Sequence, residues 1–67
     1  MFRAEWERYI ADRVPVTIRY RREEQPDPMW AVTVDEDPEF WLDAFEDRAG
    51  AVRFCREHGL PYKMEDA

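Results

Sequence analysis

Apolar side chains recur every three or four residues near the start of the chain, which is the spacing of one face of an α-helix. They are Phe2, Trp6, Tyr9 and Ile10, and charged residues of both signs stand between them. Residues 2–13 are therefore predicted to form an amphipathic helix that covers a sheet. Pro15 ends this helix, because the residue before a proline is disfavoured in the helical region.

The next two apolar segments have the pattern of β-strands. Residues 16–22 alternate strictly between apolar and polar side chains, which is typical of a half-buried strand. The core-facing side chains of this strand are predicted to be Val16, Ile18 and Tyr20. Residues 29–34 are rich in β-branched side chains and are predicted to form a second strand. Its core-facing side chains are predicted to be Trp30, Val32 and Val34. The two prolines and the polar residues of 23–28 predict a turn between the strands.

Residues 38–58 allow two interpretations. One is a single long helix, which would place Gly50 in its interior at a cost of about 1 kcal/mol relative to alanine. The other is a third strand over 39–45, followed by a helix that Asp47 caps and Gly59 ends. We favour the strand and the shorter helix, because that helix gathers its apolar side chains on one face and has a recognisable signal at each end.

These elements predict an α+β fold: a small single domain over residues 1–67, with a three-stranded antiparallel sheet and two helices on one face (α-β-β-β-α). Residues 62–65 are predicted to be either a short edge strand or a tail. The single cysteine cannot form an internal disulfide, and there is no Cys/His set for structural zinc, so stability must come from burial. The unpaired cysteine and the lack of a targeting or membrane-spanning segment indicate a cytoplasmic protein.

The negative charge of the chain is concentrated in its middle. Residues 23–47 carry ten carboxylates and no Lys or Arg, a charge of −10, whereas residues 1–22 carry +3 and residues 48–67 carry +1, which together give the net charge of −6. Long-range repulsion disfavours nucleic acid, membrane surfaces and phosphorylated substrates as direct partners. A basic protein partner is favoured instead.

Acids and aromatic side chains combine in the second half of this block. If Phe40, Leu42 and Ala44 point inward on the third strand, the alternate side chains point outward and form an interface-like patch. The opposite register, or the long helix, would bury Trp41. The predicted partner-binding residues are Asp35, Glu36, Asp37, Glu39, Trp41, Asp43, Phe45, Glu46 and Asp47.

Nothing in the sequence indicates catalysis or a cofactor. A calcium loop that started at Asp35 would need glycine at its sixth position, where this chain has Phe40. Nothing in the sequence indicates that one acid lies in a pocket rather than in solvent, as the acid of a glycosidase pair would. Cys55 on an apolar helix face is interpreted as a small buried hydrophobe, and His58 as a last-turn residue that complements the helix dipole. We therefore predict no enzymatic activity, no catalytic residue, no metal and no cofactor.

The predicted element order resembles that of the double-stranded-RNA-binding domain, over the whole chain but at the level of topology. That family grips phosphates with lysines at the start of its second helix, where this sequence has Glu46-Asp47-Arg48-Ala49-Gly50-Ala51. The resemblance implies a divergent RNA-binding-type domain. Its nucleic-acid contacts would come from Arg3, Arg8, Arg13 and the 19–22 region.

A second resemblance is one of type. A tiny, acidic, motif-free chain with its carboxylates in one block is similar to the small phage-encoded inhibitors, which include anti-CRISPR proteins and DNA mimics. This resemblance implies a non-enzymatic inhibitor whose carboxylates occupy the basic nucleic-acid-binding surface of a host complex, as a monomer or a weak homodimer. The alternatives are the RNA-binding-type domain and a structural subunit that self-associates.

Overall fold

The computed structural model describes residues 2–21 and 29–65, so the turn predicted at 23–28 lies outside the described residues. The elements in chain order are α1 (Phe2–Asp12), β1 (Val16–Arg21), β2 (Met29–Val34), β3 (Asp37–Phe45), α2 (Arg48–His58) and β4 (Tyr62–Met64). The first helix and the first two strands are confirmed. The single helix over 38–58 is wrong, because β3 occupies its first part.

The strands form one mixed sheet in the order β3-β2-β1-β4. β1 pairs with β2 and β2 with β3 in antiparallel fashion, whereas β4 runs parallel to β1. The predicted α+β class with two helices is confirmed, but the prediction of three antiparallel strands is wrong. β4 is only three residues long, and it is held against β1 by hydrogen bonds that the Val16 N–H donates to the Pro61 carbonyl (2.9 Å) and the Glu65 N–H donates to the Ile18 carbonyl (3.0 Å).

The end of α1 is set by a residue in the left-handed region that is not a glycine. Arg13 has φ 51° and follows the last helical residue. Its N–H donates to the Ile10 carbonyl (3.2 Å), and the Val14 N–H donates to the Tyr9 carbonyl (3.3 Å). This is the hydrogen-bonding pattern of a Schellman motif, accompanied by the usual contact between two buried apolar side chains on either side of it, Tyr9 and Val14. The helix therefore ends at Asp12, three residues before Pro15, so the proline is not what ends it.

We expect Arg13→Gly to raise the free energy of unfolding by about 1 kcal/mol, because a side chain in the left-handed region is strained and glycine is not. The matched control is Asp12→Gly one residue earlier, in the last helical position, which should lower it by roughly 0.5–1 kcal/mol. Urea unfolding monitored by tryptophan fluorescence measures both. A loss of stability in Arg13→Gly similar to that in Asp12→Gly would contradict this account of the helix end.

Both ends of α2 match the sequence prediction. The Asp47 carboxylate accepts a hydrogen bond from the Gly50 N–H (2.6 Å), as an N-cap does. Gly59 has φ 67°, and its N–H and that of Leu60 donate to the carbonyls of Arg56 and Cys55. Neither helix in the described part of the chain is long and apolar enough to cross a membrane.

The core lies between one face of the sheet and the two helices. Val16 and Ile18 of β1 are 1% exposed, and Val32 and Val34 of β2 are fully buried opposite them. The remaining members of the core come from both helices, from β3 and from the turns: Tyr9, Val14, Leu42, Ala51, Phe54, Cys55 and Leu60. The other sheet face is covered by no helix among the described residues. β3 therefore has side chains on both the core face and the open face, and it is an outer strand of the sheet within the described residues.

Candidate partner-binding edge

The register of β3 changes in its middle. Asp43 lies opposite Val32, but the next residue of β2, Thr33, lies opposite Trp41, so Leu42 is an extra residue on β3. Because of such a β-bulge, the side chains that follow it point to the opposite sheet face from the one that strict alternation would give. A second irregularity follows between Thr33 and Val34. The predicted alternation of side chains over residues 39–45 is therefore correct for Phe40, Trp41 and Leu42, and wrong for Ala44 and Phe45, which follow the bulge.

The bulge separates the two aromatic side chains that the sequence analysis placed together. Trp41 shares the open sheet face with Thr33, is half-buried, and does not pack against the core. Phe45 packs on the core instead, with its ring centroid 5.6 Å from that of Phe54. The outward position predicted for Phe45 is wrong, and so is the inward position predicted for Ala44, which lies opposite Ala31. Trp41 is the aromatic side chain of β3 that a partner can reach.

Two of the predicted acids make contacts that link or cap elements of the fold, whereas Asp43 accepts only a local hydrogen bond from the next residue. Asp35 accepts a hydrogen bond from the Thr17 hydroxyl (2.6 Å), and its other carboxylate oxygen lies 3.8 Å from Lys63 Nζ. Asp47 caps α2. These two carboxylates hold turns and strand ends in place, so they contribute less to a binding surface than the sequence suggests.

Five acids have no ion-pair partner within residues 2–21 and 29–65: Glu36, Asp37, Glu39, Asp43 and Glu46. We call this group the acidic edge, because its members follow the β2–β3 turn, the edge strand and the turn after it. All except the half-buried Asp37 are exposed. Burial raises the pKa of the Tyr9 phenol, and the charges of Asp37 and Glu36 raise it further, so the start of the edge is a region of negative potential.

The backbone of β3 is protected against the addition of a further strand. The indole N–H of Trp6 donates to the Leu42 carbonyl (2.9 Å), and the Asp43 carboxylate accepts from the Ala44 N–H (2.8 Å). Pro38 has no N–H to offer. Bulges, prolines and charges are common means of blocking edge-to-edge pairing. A partner of this edge therefore meets side chains rather than a row of backbone hydrogen-bonding groups.

The basic residues of β1 form ion pairs on the open sheet face with Glu65, which is not part of the acidic edge. Arg19 and Arg21 both form ion pairs with Glu65, the second at 3.2 Å, and Arg19 Nε also donates to the Thr33 hydroxyl (2.9 Å). Thr33 in turn donates to the Thr17 carbonyl (3.2 Å). This network ties β4 to the sheet. The cross-strand partners of these arginines on β2 are Ala31 and Met29, so the two arginines form no ion pair with the acids of β3.

The arginines of the RNA-binding alternative do not form one surface. Arg3 pairs with Glu7 on α1 (3.1 Å), and the guanidinium of Arg8 lies 4.8 Å from the centre of the Tyr9 ring. Both are on a helix at the core face of the sheet, whereas Arg19 and Arg21 point to the opposite face. Arg22 lies outside the described residues.

The remaining reactive side chains, Cys55 and His58, pack within the fold. Burial raises the pKa of the Cys55 thiol to about 11, so the thiol stays neutral near pH 7 and is a poor nucleophile. His58 lies between aromatic rings, 4.6 Å from Phe54 and 6.1 Å from Trp6 by ring centroids. No group of three or more potential metal ligands occurs in the described part of the chain.

The apolar pattern of the sequence did not indicate that one aromatic pair at the edge of the core would include an exposed ring. Tyr20 and Trp30 face each other across β1 and β2 with ring centroids 4.8 Å apart, and Tyr20 is 42% exposed. Both were correctly assigned to the core face of their strands. Their position at the ends of the strands, far from the predicted helices along the chain, was the available signal that Tyr20 would be exposed.

No protein-family model, curated protein or solved structure matches this chain. The interpretation of the site therefore rests on its geometry.

Proposed function

We propose that this protein is a non-enzymatic binding module that docks its acidic edge on the basic nucleic-acid-binding surface of a host complex, and so inhibits it in the manner of anti-CRISPR proteins and DNA mimics. The observation that carries the proposal is the set of five acids without ion-pair partners among the described residues, which lie on the edge strand and the turns that flank it, with Trp41 among them. A lone buried cysteine fits a reducing, cytoplasmic setting.

The electrostatics of the edge suit a cationic partner. Strand residues two apart are separated by about 6.6 Å, so the nine residues of β3 extend over roughly 30 Å. Carboxylates along this length can replace phosphates in a basic channel and release the anions bound there. Unpaired surface charges also steer the encounter, which raises the association rate at low salt.

Trp41 supplies the short-range part of the interaction. Tryptophan is enriched at binding hot spots, since a large ring removes much apolar surface from water when a partner covers it. Because acids surround Trp41, the surface that complements it is that of a basic partner. Arginine is the natural counterpart, because its guanidinium can pair with a carboxylate and also stack on an indole.

The proposal is tested by capture from a nuclease-treated bacterial lysate. The edge variant carries Glu36→Lys, Glu39→Lys and Glu46→Lys, three exposed positions with no described side-chain hydrogen bond. The charge-matched control carries Glu5→Lys, Asp12→Lys and Glu57→Lys, which lie on the helices. Each replacement adds two charges, so both variants change the net charge from −6 to 0.

We expect the native protein and the control to retain the same nucleic-acid-handling complex at about 50 mM salt and to release it by about 0.5 M. The edge variant is expected to retain at least tenfold less. Equal capture by the edge variant would place the interface elsewhere. Equal loss in both variants would show that only the net charge matters, which also contradicts a docking edge.

A further inference from the structure

The outer face of α2 carries a shallow groove of about 720 Å³. Its described lining residues are Arg48, Ala49, Val52, Arg53, Arg56 and Glu57. Ala49 is exposed and Val52 half-buried, so they give the groove an apolar floor, and the three arginines around them are exposed. A cationic groove of this kind is unusual on a chain with a net charge of −6.

The three arginines of the groove have no ion-pair partner among the described residues. Other arginines do have one: Arg3 pairs with Glu7, while Arg19 and Arg21 pair with Glu65. The fold thus leaves a cluster of uncompensated positive charge on α2 and a cluster of uncompensated negative charge on β3. The two clusters are complementary in sign, and each has an apolar component, which is the floor of the groove on one side and Trp41 on the other.

We propose that the groove of α2 docks the acidic edge of a second copy of this chain, with Trp41 seated on Ala49 and Val52. Carboxylates such as Glu39 and Glu46 then pair with Arg48 and Arg53, and the guanidinium groups lie against the indole. This inference rests on the proposed function in one respect, because it assigns a second occupant to the same acidic edge. Self-docking covers that edge until a more basic partner displaces it.

The net charge makes this association weak and strongly dependent on salt. Two copies with a charge of −6 each repel one another at long range, and only the local complementarity of the two surfaces opposes the repulsion. Salt at about 0.5 M shortens the screening length to a few ångströms and weakens the exposed ion pairs. Self-docking is therefore expected at high protein concentration and low salt.

Charge-swapped variants test this pairing by sedimentation equilibrium. The helix variant carries Arg48→Glu and Arg53→Glu, and the edge variant is the one defined above, with Glu36→Lys, Glu39→Lys and Glu46→Lys, which turns the charge of the edge from −5 to +1. For the native protein at low salt, we expect the weight-average mass to rise with concentration. Each variant alone should remain monomeric, because both of its surfaces then carry the same sign. An equimolar mixture of the two should associate again, since the reversed edge of one variant fits the reversed groove of the other.

Arg3→Glu with Arg8→Glu is the control for net charge. Two such replacements change the charge from −6 to −10, as in the helix variant, but they lie on α1 and should leave self-association intact. Far-UV circular dichroism confirms that each variant is folded. A native mass independent of concentration would overturn the inference, and so would a mixture that stays monomeric.

A fluorescent DNA duplex tests the other anionic occupant. Retention of the duplex by the native protein and its loss in the helix variant, without self-association, would assign the groove to phosphates and overturn the inference. The proposed function is judged separately. The helix variant keeps its acidic edge and is expected to capture the host complex at least as well as the native protein, whether or not self-docking occurs.

Discussion

Ile18→Ala is expected to remove a large part of the free energy of unfolding, about 2–5 kcal/mol. Ile18 lies on β1, which is paired on both sides, and its side chain is 1% exposed. Truncation of a buried isoleucine typically costs about 2–5 kcal/mol, because apolar contacts are lost and a cavity remains. A domain of this length has a total stability of only roughly 3–10 kcal/mol, so one such cavity removes a large part of it.

The control for this prediction is Val52→Ala on α2, where the side chain is half-buried and packs only against the margin of the core. Alanine also has the higher helix propensity, so the free energy of unfolding should change by less than about 1 kcal/mol. Urea unfolding measures both variants, and a fall in the midpoint without a change in slope identifies a loss of stability. Similar midpoints for the two variants would contradict the position of the core.

The second large effect is a contrast between two aromatic side chains on the same strand. Phe45→Ala is expected to destabilise the fold by about 2 kcal/mol or more, since its ring packs on Phe54. Trp41→Ala is expected to cost about 1 kcal/mol of stability, since its ring lies outside the core. For partner binding the order is reversed. Removal of Trp41 should weaken it by roughly 30-fold, the effect of a hot-spot residue.

For each variant, thermal unfolding measures the stability, and a binding titration with the captured complex measures the affinity for the partner. The contrast depends on the β-bulge at Leu42. Without it, Trp41 and Phe45 would share one face and would respond alike. A Trp41→Ala variant that unfolds as readily as Phe45→Ala, with unchanged partner binding, would contradict both the register of β3 and the role of the edge.

Local patterns predicted most of the fold. The strict alternation in β1, the β-branched residues of β2 and the two caps of α2 are signals carried by a few neighbouring residues. Asp47 and Gly59 act at the positions where the sequence placed them. These features were accessible because a turn, a cap or a strand face is decided by interactions within one element and its immediate flanks.

The parts that were wrong or left open depend on contacts between distant segments. β4 has only three residues, too few for a periodic pattern, so the sequence of residues 62–65 allows either a short edge strand or a tail. The strand forms because the edge of β1 is available for parallel pairing. The extra residue at Leu42 is decided by packing of that side chain into the core and by the hydrogen bond from Trp6 to its carbonyl. Nothing local in residues 39–45 marks the bulge.

The candidate site was predictable as a region but not residue by residue. Composition alone located the acidic block. The sequence could not show that Asp35 is bound by Thr17 and Lys63 on other strands, or that Phe45 turns inward. The unpaired arginines of α2 were also missed as a surface, because their isolation from carboxylates is a property of the folded chain.

The most direct test of the account is a competition on the captured host complex. Its affinity for a labelled nucleic acid is measured alone, with the native protein, with the edge variant (Glu36→Lys, Glu39→Lys, Glu46→Lys) and with the charge-matched control. The account predicts that the native protein and the control displace the nucleic acid at a one-to-one ratio to the complex, and that the edge variant does not. A ternary complex, in which the native protein and the nucleic acid are bound together at undiminished affinity, would contradict it.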